Sequence, residues 1–328
     1  MTADLSVIIP TYNRAGFLPA CVASVRACGV PAEIVIVDDG STDDTPQRVR
    51  ELGDVSYIRQ PNAGVSVARN AGVASARGEL LAFLDSDDTW RPGVAPKLVT
   101  VLRRYADIDV AFADALAGNS DDGFDESMME ELGGDVFRRL PDCRPEFGVR
   151  LLEPKPFFRR LIERNQMFLG SAIMRRRAFE AVGGFDPALS GAADYDITLR
   201  LAHRFGFAYL EEPQALYLRH PGNMSANRDK MDREFALVMA GLLRNCPDLS
   251  PADRALVRQR RRLLMYYLGY NSYDRGDYAE ARRRLRELFR EFGPDPAGAA
   301  VWAASHLPAG LVGRLRRFKR LFSRAAPT

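Results

Sequence analysis

Short apolar runs open the chain at 5–9, 33–37, 55–59, 80–84 and 109–113, each of a length that suits a buried strand. The segments between them, 15–27, 43–52, 64–76 and 92–106, space their apolar residues as helices do. Asp43 and Ser66 read as cap or early-turn residues, and Pro92 suits a first helical turn. Strands alternating with helices predict an α/β, Rossmann-like fold, a mostly parallel sheet flanked by helices. In such sheets ligands bind beyond the carboxyl ends of the strands. The residues just after each apolar run are therefore the place to look for chemistry.

The rhythm breaks at 116–150, where GNSDDGFDESMMEELGGD is acidic and glycine-rich. The expectation is a mobile insert near the site, a lid or binding loop, with a solvated surface loop as the plain alternative. Regular structure is predicted again as a helix at 155–164, a strand at 171–174, a helix at 192–205 and strands at 207–210 and 215–218. From 227 the pattern is helical, with 265–278 and 279–292 paired about a turn at Gly276-Asp277. Two domains are expected: an α/β domain at 1–225 and an α-helical C-terminal region at 226–328.

Charge sharpens that division. Residues 254–328 carry 17 Lys/Arg against 6 Asp/Glu, while the rest of the chain is net acidic, within an overall charge of +3. The tail at 311–322, LVGRLRRFKRLF, can set Leu311, Leu315, Phe318 and Leu321 or Phe322 opposite its basic residues. Peripheral contact with an anionic membrane through 308–328 is one expectation; a solvated face packed on the rest of the chain is the other. No uncharged 18-residue stretch suggests a membrane span, and the start lacks the pattern of a secretion signal. Cys21, Cys28, Cys143 and Cys246 have no CxxC spacing and read as free thiols, so the expected location is cytoplasmic. Beyond charge, no nucleic-acid-binding motif is found, and a nucleic-acid partner is not expected.

Three clusters follow strands. Pro10-Thr11-Tyr12-Asn13-Arg14 follows the first and offers backbone and a small side chain against which a nucleotide base could rest. Asp38-Asp39-Gly40-Ser41-Thr42-Asp43 follows the second; a carboxylate there can accept from a base N–H or ribose hydroxyls, although the same residues could simply cap a helix. Asp85-Ser86-Asp87-Asp88 follows the fourth. Acids so close repel unless a cation or solvent offsets them, and Mg²⁺ or Mn²⁺ takes oxygen ligands and bridges to phosphates. A solvated helix start is the plain alternative.

In order along the chain stand PTYNR, VDDGSTDDT, Asn62-x-Gly64-xxx-Ala68-Arg69-Asn70, FLDSDDTW, GGFD with DYDITLRLA, and YLRHPGNMS. Together they resemble the family 2 glycosyltransferases of the GT-A fold, over roughly residues 5–225. The resemblance implies a nucleotide-sugar donor, most often a UDP-sugar, and a Mn²⁺ or Mg²⁺ ion. It implies that Thr11 and Asp39 hold the base, with Pro10 and Tyr12 also among the donor-binding residues and Arg69 near the base or diphosphate. Asp85 would contact the ribose or a metal-bound water, Ser86 would also bind the donor, Asp87 would ligate the metal, and His220 would complete metal or phosphate contact. Asp194 matches the catalytic base, with Ala193 where the family usually has Glu. Asp196 is expected to face elsewhere as an ordinary helix-start acid.

The implied reaction is a single displacement with inversion at the anomeric carbon, onto a saccharide or lipid-linked acceptor in surface-polysaccharide or glycolipid synthesis. A nucleotidyltransferase would need a glycine-rich basic loop where PTYNRAG stands. A non-catalytic nucleotide-sugar-binding member is the remaining alternative, one that Ala193 slightly favours.

Overall fold

The computed structural model describes residues 4–119, 123–131, 144–146, 148–220, 222–223 and 227–307. Its contacts divide the chain into two compact units, Met1–Ala226 and Asn227–Thr328. The strands are β1 Leu5–Thr11, β2 Ala32–Asp38, β3 Ser56–Arg59, β4 Leu80–Phe83, β5 Thr89–Trp90, β6 Ile108–Asn119, β7 Gly123–Ser127, β8 Arg144–Glu146, β9 Val149–Leu152, β10 Ala172–Arg175 and β11 Gly206–Leu218. The helices of the first unit are α1 Leu18–Arg26, α2 Thr45–Leu52, α3 Val65–Ser75, α4 Ala95–Arg104, α5 Met128–Glu131, α6 Pro154–Glu163, α7 Arg176–Ala181 and α8 Ala193–Arg204. The second unit holds α9 Arg228–Asn245, α10 Pro251–Arg275, α11 Tyr278–Phe292 and α12 Pro296–Ala304.

The strands of the first unit form one sheet in the order β3-β2-β1-β4-β10-β6-β11-β9-β8. β3, β2, β1 and β4 are parallel, as are β6 and β11, while β10 runs antiparallel between β4 and β6. The strand order turns back at β1 and β4, so the crevice between their carboxyl ends is the expected binding position. β1 is buried throughout because both its faces are covered, which explains a continuous apolar run rather than an alternating one. Val7 and Ile9 share a core with Leu18 and Val22 of α1 and Leu98 and Leu102 of α4. Ile8 meets α3 at Gly72, where an added Cβ would lie 2.5 Å from Ile8 Cγ2 and 3.1 Å from Val37 Cγ2. Gly72→Val should therefore destabilise the first unit by about 1–3 kcal/mol through overpacking. A fall in the denaturant midpoint at unchanged slope checks this, and an unchanged midpoint would show that α3 can move away freely.

The structure corrects several expectations. Pro92 lies in a turn and α4 begins at Ala95, because Thr89 and Trp90 pair with β11 and Arg91 N donates to Gln214 O at 2.7 Å. The backbone is committed to a strand until that point. Much of 116–150 is regular: β6 runs on to Asn119 and pairs with β7. Buried Asp114 fixes that hairpin's base, accepting from Ala115 N, Met129 N and Ser127 Oγ. Residues 120–122, 132–143 and 147 of the insert, Cys143 among them, lie outside the described residues. The two strands expected at 207–210 and 215–218 are a single strand, with register shifts around Pro213, which has no N–H to give a ladder. Cys21 and Cys28 are buried free thiols, and Cys246 is buried as well.

In the second unit α10 ends at Gly276 with φ +88°, a left-handed cap, and α11 follows at once. Leu285, Leu288 and Val301 pack there against Tyr266, Tyr270 and Phe289. Asp229 binds three arginines, Arg233, Arg275 and buried Arg284, whose hydrogen bonds and charges hold its carboxyl well below the usual range. Among the described residues no helix is long and apolar enough to cross a membrane. The amphipathic segment expected at 308–328 lies outside them.

Candidate active site

The floor of the site is made where β1, β2 and β4 end. Asn13 holds φ +54°, a left-handed conformation that Asn tolerates better than most residues. Its Oδ1 accepts from Thr42 N at 2.7 Å, and its own N–H donates to Ser41 Oγ at 2.9 Å, so the turns after β1 and β2 are stitched together. Asp38 and Asp39 then divide their labour. Asp38 is fully buried and structural, accepting from Ser41 N and from the Tyr57 hydroxyl, each at 2.7 Å. Burial and that contact push the Tyr57 phenol up to about 12. Asp39 accepts from Gln60 Nε2, Ala63 N and Gly64 N at 2.8–2.9 Å, which folds 60–64 along the crevice. A carboxylate has about four acceptor positions, so these three bonds do not exhaust Asp39, which lines the cavity. Thr11 Oγ1 is buried there with no protein partner among the described residues.

The carboxylates after β4 have three different fates. Asp88 is 1% exposed; burial, with Asp85 and Asp87 nearby, pushes its carboxyl far above the usual range. It accepts from Leu218 N at 3.1 Å and ties β11 to the acidic loop, so it is not a free third charge. Asp85 binds Arg69 Nη2 at 2.7 Å, and Asp194, in the first turn of α8, binds Arg69 Nη1 at 2.5 Å. Arg69 is buried, projects from α3 and lies 5.2 Å from the Phe185 ring centroid. Burial opposes its charge, but Asp194 and Asp85 outweigh that and hold it protonated. Burial pushes the Asp194 carboxyl up; the Arg69 charge opposes the shift and Asp85 reinforces it.

α8 is placed by residues outside the chemistry. Asn70 clasps Phe185, donating to its carbonyl at 2.9 Å and accepting from its N–H at 3.0 Å. Tyr195 donates its hydroxyl to Leu161 O at 2.8 Å. Asp196 is more than the helix-start acid expected from the sequence: it is 5% exposed and ion-paired with Arg200, which also reaches Gly184 O at 2.8 Å. The pair thereby holds the Gly183-Gly184 turn against α8.

Asp87 is the remaining acid. Its Oδ2 lies 2.7 Å from Arg14 Nη1 and 2.9 Å from His220 Nε2. Among the described residues no three His, Cys, Asp or Glu side chains gather as a metal cage. Mg²⁺-type ions, however, are commonly held by one or two carboxylates with substrate phosphates supplying further oxygens. Asp87, at the cavity wall, fits that sparse donor set.

These groups line one cavity of about 710 Å³, the scale of a small-ligand site. Pro10, Thr11, Tyr12, Asp39, Arg69, Asp85, Ser86, Asp87 and Asp194 all line it, and His220 joins through Asp87. The sequence reading gave no role to Arg14, Met128, Phe168, Tyr217 or Arg219, which also line it. Arg14 stands in PTYNR, Tyr217 and Arg219 in YLRHPGNMS, and Met128 in the insert expected near the site, so of these five only Phe168 carried no signal. Phe168 and Tyr217 meet edge to face at 5.5 Å, a contact between distant segments that no local pattern encodes.

A parallel core of β3, β2, β1 and β4 with acidic residues at the switch point, flanked by helices, is an α/β fold of the GT-A type, as the solved structures below bear out. The Glycosyl transferase family 2 model matches residues 6–183. The succinoglycan biosynthesis protein ExoO of Rhizobium meliloti is 32% identical over 97% of this chain and 88% of its own. An uncharacterized glycosyltransferase of Nostoc sp. is 43% identical over 30% of this chain and 33% of its own length, so that match spans about a third of the relative. Among solved structures, residues 1–349 of S. aureus TarS superpose with a TM-score of 0.62 at 19% identity, over 88% of this chain and 80% of that one. The mannosyltransferase PcManGT from Pyrobaculum calidifontis, in complex with GDP-Man and Mn²⁺, gives 0.55 at 18% identity over 93% and 80%. The chain belongs to glycosyl transferase family 2.

Proposed function

We propose that this protein is a metal-dependent, inverting glycosyltransferase that moves a sugar from a UDP-sugar onto an acceptor hydroxyl of a saccharide or lipid-linked glycan. The observation that carries the reading is Arg69, whose single guanidinium holds Asp85 and Asp194 on one cavity wall. A candidate base and a candidate donor-binding carboxylate, from segments far apart in the sequence, thus face one space. TarS has been captured with UDP-GlcNAc and PcManGT with GDP-Man and Mn²⁺, which supports a nucleotide-sugar donor. The name of ExoO supports polysaccharide synthesis as the setting.

Thr11 and the open acceptor position of Asp39 would meet the base at the carboxyl end of β1. Asp85 and Ser86 would face the ribose and diphosphate. Asp87, beside His220, would hold a divalent cation, whose charge would stabilise the departing diphosphate. Asp194 would take the proton from the acceptor hydroxyl as that oxygen attacks the anomeric carbon from the face opposite the leaving group, giving inversion. Arg69 would keep Asp194 oriented and ionised. A saccharide acceptor would enter past Phe168 and Tyr217. The protein would work at the inner face of the membrane, docked through 308–328.

A thermal-shift screen with Mn²⁺ and UDP-, GDP-, dTDP- and CMP-sugars tests the reading. Ligand that binds only the folded state raises the melting temperature. A Mn²⁺-dependent rise with a UDP-sugar is expected, and no rise with any donor would overturn the proposal.

A further inference from the structure

Two donors crowd one oxygen of Asp87. Arg14 Nη1 and His220 Nε2 both reach Oδ2, and they lie only 2.7 Å from each other. Gly222 N donates to His220 Nδ1 at 3.1 Å, which leaves the imidazole proton on Nε2. The Arg14–His220 contact is then a meeting of two N–H groups, so neither loses a hydrogen bond between them on parting. Arg14 is also lightly tethered elsewhere. Its Nη2 reaches Gly222 O at 3.2 Å, its guanidinium stands 5.6 Å from the Phe17 ring centroid, and its side chain is 23% exposed at the cavity wall.

We propose that Arg14 is an exchangeable counter-ion: it neutralises Asp87 in the donor-free protein, competes there with a divalent cation, and transfers to the diphosphate when donor and cation enter together. This rests on the reading of Asp87 as the cation's anchor. A doubly charged ion on Asp87 repels a guanidinium that shares its oxygen, so the ion alone binds only against Arg14. A diphosphate changes that balance, because the planar guanidinium fork matches phosphate oxygens as well as it matches a carboxylate. Asp87 exchanges one cation for another, and no charge is left unpaired. Cation and nucleotide therefore bind cooperatively, each strengthening the other by the same factor. Arg14 is a positioning residue in this scheme, setting the order in which the site fills.

The test is calorimetric titration of Mn²⁺ into wild type, Arg14→Gln and Arg14→Lys, each with and without UDP, with circular dichroism melts to establish folding. Arg14→Gln should bind Mn²⁺ alone about tenfold more tightly than wild type, and UDP should enhance that binding less. Arg14→Lys keeps the charge and should retain the weak binding of Mn²⁺ alone. If wild type with UDP takes up Mn²⁺ but Arg14→Gln binds the ion alone no better than wild type, Arg14 is not the competitor. Equal tightening in both variants would overturn the charge-exchange account. If wild type takes up no Mn²⁺ even with UDP, the assignment of Asp87 as anchor fails first, and this proposal with it.

Discussion

Asp194→Asn should lower kcat for transfer by about 10²–10⁴-fold, the usual contribution of a positioned general base. Donor affinity should change little, because the variant keeps an oxygen that can accept from Arg69 while losing the charge that takes a proton. The signature is a collapse of kcat with the dissociation constant for UDP near the wild-type value, measured by single-turnover kinetics and calorimetry. The pH dependence gives a second check. A base acts only when deprotonated, and burial raises the Asp194 carboxyl above its ordinary value. The acidic limb of the wild-type profile should therefore lie above the ordinary value of an aspartate, with activity rising as pH passes upward through it. Near-normal turnover in Asp194→Asn, or a limb that persists in the variant, would remove Asp194 from the role.

Asp87→Ala should abolish the effect of Mn²⁺ on UDP binding. In wild type, UDP should bind about tenfold or more tightly with Mn²⁺ than with a chelator, a coupling of the usual size between linked ligands. In the variant that ratio should fall close to one, because the proposed anchor of the ion is gone. Binding of UDP in chelator should not weaken, since Arg14 and His220 lose their shared acceptor and become available to phosphate oxygens. Calorimetry in Mn²⁺ and in chelator gives both numbers for each protein. A full Mn²⁺ effect in Asp87→Ala would place the ion elsewhere.

Much of this site was legible along the chain because parallel α/β sheets put ligands at strand ends. The positions from Pro10 to Tyr12, Asp39 and the segment from Asp85 to Asp87 each follow an apolar run, and that placement requires no long-range information. The partners of these residues could not be read in the same way. Nothing local separates Asp38, which braces Tyr57, from Asp39, which folds 60–64 along the crevice. Nor does the acidic run reveal that Asp88 withdraws into the interior while Asp85 and Asp87 stay at the cavity. Those outcomes depend on which way each side chain leaves a turn, and hence on the register of several strands at once.

By itself the sequence determined the alternation of strands and helices, the strand ends where chemistry would gather, and the family, because apolar periodicity and motif order are local properties of the chain. Tertiary structure decided the pairings between segments distant in sequence: Arg69 of α3 with Asp194 of α8, Arg14 with Asp87 and His220, and β4 with β10. Each is a contact of a few ångströms between groups that no periodicity links. Its energy depends on burial and on the charges nearby, and both come into being only when the sheet has formed.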